Sequence, residues 1–143
     1  MEKKSSTLRF IYPQWQGGIV DHWMSDIPAE DSSRGYYLGA QLLNYLAPQT
    51  NQKTVEVPVS LDINDRAIEK GISARGVLLK QTKAALELLK ENNPDRIVTL
   101  GGECSVSVVP FTYLIGKYPD DVAIILIDAH PDINLPYDDY KGY

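Results

Sequence analysis

A chain of 143 residues, 43% of them hydrophobic, is long enough to bury the core of a single domain. Its 14 Lys and Arg against 19 Asp and Glu leave a net charge of −5 without any basic cluster, so neither a nucleic-acid surface nor a nucleic-acid partner is expected. A single cysteine, Cys104, rules out an intramolecular disulfide, and no apolar run reaches membrane-spanning length, so a cytoplasmic protein is expected.

Lys3 and Lys4 precede an apolar segment that Arg9 and Pro13 interrupt, which does not read as a signal peptide. Residues 8–12 of that segment read as a first strand. Residues 14–33, with Trp15, Gly17, Gly18, His22 and Trp23 in no clear period, read as a long loop. His22 and Trp23 read there as packing or entrance-loop residues. A helix is expected over 34–46, with Leu38, Leu42, Tyr45 and Leu46 on its apolar face and Ser32 or Ser33 as its cap. Residues 54–59 read as a second strand. The stripe Val77, Leu78, Gln81, Ala85, Leu88 and Leu89 predicts a helix over 73–91, stopped by Asn92, Asn93 and Pro94. A third strand over 96–100 ends at Gly101 and Gly102. The next helix spans 105–118, its regular part starting near Val109 because of Pro110. The β-branched run 122–127 reads as a fourth, buried strand of parallel type. Strands alternating with helices predict an α/β layer structure around a mainly parallel sheet. Ligands of such sheets bind beyond the carboxyl ends of the strands.

Two motifs fall at those ends. In Asp128-Ala129-His130-Pro131-Asp132 an extended backbone would project Asp128, His130 and Asp132 to one side. Two carboxylates and an imidazole are donors that Mn2+, Fe2+ or Zn2+ accept. Pro131 takes a non-ligand position and holds His130 extended. The alternative is a polar loop whose aspartates cap a turn. Asp120, Asp121, Asp138 and Asp139 add to the acidic character of this region, which draws a cation or is simply solvated.

The second motif is Gly101-Gly102-Glu103-Cys104-Ser105. Paired glycines allow a sharp turn or a close approach to a ligand. With no G-x-G-x-x-G run and no G-K-[ST] ending, nucleotide binding is not expected. The turn reads as tight, with Ser105 or Ser107 capping the following helix. Cys104 reads as a metal ligand, a reactive thiol or a small buried hydrophobe. As a nucleophile its candidate bases are His130 and His22.

Together the motifs resemble those of the ureohydrolase superfamily, which includes arginase, agmatinase, formiminoglutamase and guanidinobutyrase-like enzymes. Members carry Gly-Gly-Asp-His-Ser or Gly-Gly-Glu-His-Ser after one strand and Asp-Ala-His-x-Asp after the next. The resemblance implies an arginase-like three-layer sandwich with a mainly parallel sheet, of which this chain is the N-terminal part, a single α/β domain over 1–143 that is incomplete relative to the family. It implies a pair of Mn2+ ions, with Asp128 bridging both, His130 on one and Asp132 on the other. Asn134 matches a position that contacts the substrate. The implied activity is hydrolysis of a C–N bond in a small guanidino or amidino compound through metal-activated hydroxide, with the catalytic acid and base unassigned.

Cys104 stands where the family carries a histidine ligand, and a thiolate there would favour Zn2+ or Fe2+. The family's remaining ligands, an Asp-x-Asp pair on a later strand, have no counterpart here; Asp138 and Asp139 are adjacent. A C-terminal half or a homo-oligomer is therefore expected to complete the assembly. The alternative is a catalytically inactive metal-binding or interaction scaffold derived from the family.

Overall fold

The computed structural model describes residues 5–18, 20–120 and 122–130, apart from the side chain of His22. In chain order its elements are β1 (Thr7–Tyr12), α1 (Val20–Trp23), α2 (Ala29–Leu46), β2 (Lys53–Glu56), β3 (Ile68–Glu69), β4 (Ile72–Ser73), α3 (Arg75–Asn92), β5 (Arg96–Gly101), a 3₁₀ turn (Cys104–Ser107) and α4 (Val108–Lys117). The expected α/β fold with a parallel sheet is present. Its strands run β2-β1-β5, with β1 paired in parallel to both neighbours.

The central position of β1 explains its composition. Residues 8–12 are all buried, as befits a strand covered on both faces. Leu8, Phe10 and Tyr12 meet Ala85 and Leu89 of α3 and Val106 and Val109 beyond β5. Arg9 is buried too, but its guanidinium reaches Asn44 Oδ1 at 3.3 Å and the Pro48 carbonyl at 2.6 Å past the end of α2. The second strand is shorter than its apolar pattern predicts. Val57 still donates to the Ile11 carbonyl at 2.8 Å, but Pro58 has no N–H to continue the ladder.

The predicted stripe of α3 is the one the helix buries: Val77, Leu78, Gln81, Ala85 and Leu89 are buried, and Leu88 packs against the core. Helix α2 departs from its prediction in two ways. It begins at Ala29, after Pro28, with Glu30 and Asp31 in its first turn favoured by the helix dipole, so Ser32 and Ser33 lie inside it rather than capping it. Its buried positions are Ser32, Ser33 and Ala40, while Leu38, Leu42, Tyr45 and Leu46 are exposed. Small side chains let the helix approach the sheet closely, and the leucine face turns outward.

The fourth strand expected over 122–127 is not formed. Residues 122–127 carry no sheet pairing, and Ile125 and Ile127 are 82% and 93% exposed. β-branched residues favour extended backbone, but a strand needs a neighbour whose ladder it can join. A two-stranded hairpin, β3–β4, stands outside the elements that the sequence predicts. It turns through Lys70 and Gly71, at φ 53° and 81°, and the Lys-Gly pair is the cue that marks it. Among the described residues no helix is long and apolar enough to cross a membrane.

Candidate functional site at the strand ends

Because β1 and β5 are parallel, their carboxyl ends share one edge of the sheet. Their ladder continues past β5: Gly102 N–H donates to the Tyr12 carbonyl and Glu103 N–H to the Gln14 carbonyl, both at 3.0 Å. That continuation is why glycine is required. A Cβ on Gly102 would lie 1.7 Å from the Gln14 carbonyl oxygen, so backbone occupies the space any side chain needs. The amides of residues 102 and 103 are thus committed to the last residue of β1 and to Gln14 just beyond it. The amide of Ser105 is committed to Glu103 Oε2 at 2.7 Å. Glu103, rather than Ser105 or Ser107, is the residue that caps the 3₁₀ turn, and Ser107 makes no side-chain cap to α4. A carboxylate among committed amides is the opposite of a phosphate cradle.

Glu103 is the functional candidate that the sequence did not single out. It is buried, and its Oε1 accepts from Gln14 Nε2 at 2.6 Å and from Ser105 Oγ at 2.7 Å. Burial raises its carboxyl above the ordinary value, against hydrogen bonds from Ser105, Gln14 and the Gly17 backbone that favour the carboxylate. Gln14 then passes the network on. Its Oε1 accepts from Tyr12 OH at 3.0 Å and from Gln81 Nε2 at 2.9 Å, and Gln81 Oε1 accepts from Ser60 N at 2.9 Å. The Ser60 carbonyl accepts in turn from Trp15 Nε1 at 2.8 Å and Gln16 Nε2 at 2.9 Å. A polar network satisfied in this way rigidifies the edge it occupies. Gly17 closes over it, where a Cβ would meet the Glu103 carboxyl carbon at 2.8 Å.

Above this buried layer the two sequence motifs meet. Cys104 is exposed, which removes the buried-hydrophobe reading, and its Sγ lies 3.8 Å from Asp128 Oδ2. Asp128 Oδ1 accepts from the backbone N–H of His130 at 3.0 Å and lies 3.8 Å from His130 Nδ1. Asp128 and His130 therefore do face each other. They do so across a bend held by the Asp128 carboxylate, not along an extended strand. Carboxylate, imidazole and thiol are donor types that suit a divalent transition ion. Among the described residues, however, no group of three or more His, Cys, Asp or Glu side chains is arranged to hold one. Asp132 and Asn134, with Pro131, Asp138 and Asp139, lie outside the described residues, as do Asp121 and the side chain of His22.

The model of the Arginase family matches residues 35–143, a span that contains both motifs and leaves β1 and Gln14 outside it. No curated protein matches the chain.

Proposed function

The chain belongs to the arginase family, and from that membership we propose that it carries part of a metallohydrolase site that cleaves a C–N bond in a small guanidino or amidino compound. The observation that supports this most is the contact between Cys104 and Asp128, which joins the two motifs across 24 residues of chain. Asp128, His130 and Asp132 would hold a divalent ion, Mn2+ by family resemblance. Cys104 as a further donor would move the preference towards Zn2+ or Fe2+. When bound, the ion supplies Lewis-acid activation of water against a guanidinium carbon, a poor electrophile. The chain's own residues prepare the place. Asp128 orders the 128–130 bend through the His130 amide, and the committed amides of the Gly-Gly turn fix the wall opposite. Asn134 would contact the substrate. A cytoplasmic location, and a homo-oligomer or C-terminal half that completes the ligand set, belong to the same proposal.

Cys104, standing where the family carries histidine, favours a second reading as a non-catalytic metal-binding or interaction scaffold. Metal analysis after Mn2+ loading and desalting, with Asp128→Ala as control, tests the proposal. Retention of about one ion per chain, lost in the variant, is expected. No retained ion would overturn it. An ion retained without release of urea or ammonia from any of a panel of guanidino compounds would favour the scaffold.

A further inference from the structure

We propose that Glu103 is a positioning residue for this site: its buried carboxylate fixes the 101–105 turn in the shape that sets the Cys104 thiol against Asp128. The inference rests on reading Cys104 and Asp128 as site residues, and it concerns what holds them together.

Burying a carboxylate is unfavourable unless donors surround it, and here the chain supplies Gln14 Nε2, Ser105 N, Ser105 Oγ and the Gly17 backbone. Joining β5 to β1 does not need this arrangement, because the two strands already pair from Thr7 to Tyr12 and the Gly102 amide bonds to the Tyr12 carbonyl. What the carboxylate adds acts on the residues after it. It takes both hydrogen-bond donors of Ser105, so residue 104 is flanked by two anchored neighbours and its side chain is directed outward, where Cys104 is exposed. Gln14 braces the same carboxylate from the end of β1, and Gln81 braces Gln14 from α3. Among the described residues Asp128 has no comparable support, since residues 122–127 before it join no sheet. The geometry of the Cys104–Asp128 contact is therefore set from the side of the turn.

Cys104 is the sole cysteine, so its reaction with a disulfide reagent such as DTNB reads this position alone. The measurement is made on the full chain in chelator, with circular dichroism and urea midpoints to establish folding. In the parent, Asp128→Asn is expected to change the reaction rate about tenfold; in a Glu103→Gln background the same substitution should change it less than about twofold. Glu103→Asp, which keeps the charged acceptor, should restore part of the coupling. Equal effects of Asp128→Asn in both backgrounds, or no effect in the parent, would overturn the proposal. If Glu103→Gln does not fold, Ser105→Ala replaces it: it removes one donor to Glu103 and should weaken the coupling, and undiminished coupling would overturn the proposal. Protection of Cys104 by added Mn2+ or Zn2+ reads the metal proposal separately. Absent protection with intact coupling defeats the metal reading alone.

Discussion

Asp95 uses both oxygens of its carboxylate at the edge of the sheet away from the candidate site. Oδ1 takes Lys117 Nζ at 2.9 Å, and Oδ2 takes the backbone N–H and hydroxyl of Ser6 at 2.9 and 3.1 Å. The bonds from Lys117 and Ser6 hold its carboxyl far below the ordinary value of 3.8. A carboxyl depressed in the folded state stabilises fully above its unfolded pKa, and that contribution disappears as pH falls towards the folded pKa. The melting temperature of the parent should therefore fall more steeply than that of Asp95→Asn below about pH 4, with a constant offset between them above about pH 5. Parallel curves throughout would mean that the clasp adds nothing. At this scale the sequence was legible where chemistry is local. Asp128 and His130 come together within two residues, through a bend that the Asp128 carboxylate closes on the His130 amide. Glu103 was not legible, because its partner Gln14, and Gln81 that braces Gln14, are distant in sequence and a buried acid is defined by its surroundings.

Among the elements, α3 could be read almost to its ends because its stripe meets the sheet, whereas α2 could not. Its apolar periodicity is real, but the sheet takes the face bearing Ser33 and Ala40. Periodicity reveals that a helix has two faces and leaves the choice of face to packing. The interior of α2 also carries Gly35 and Gly39, where a Cβ would meet nothing within 4 Å. Gly39→Ala and Gly35→Ala should each raise stability by about 0.5–1 kcal/mol through lower unfolded-state entropy and better helix propensity. Urea denaturation checks this, and a loss of stability at either position would show that the helix packs there against something.

For the whole molecule, the alternation of strands and helices was enough to give the fold class, since local hydrophobic patterns dictate layers. The pattern could not give pairing. Residues 122–127 have the composition of a buried strand, yet Ile127 is 93% exposed. The two situations differ sharply in energy. Ile127→Lys should cost less than about 0.5 kcal/mol, as exposed substitutions do. In a strand buried on both faces the same change would cost at least about 3 kcal/mol through an unpaired buried charge. The urea midpoint of this variant separates the two, and a large loss would place the segment in the core.

The clash recorded at Gly102 has a consequence for how this site can diverge. At position 102 a single methyl group already meets the backbone of Gln14, and at 103 the carboxylate accepts from Gln14 and from both donors of Ser105. At 104, by contrast, the side chain is exposed. Mutational drift is thus channelled: position 102 is closed to change by the fold, position 103 is confined to side chains that keep the carboxylate, and position 104 can exchange its donor atom at little cost to folding. Cysteine there is an outcome that such a tolerance gradient permits, and it allows the chemistry of the rim to be retuned while its scaffold is inherited intact.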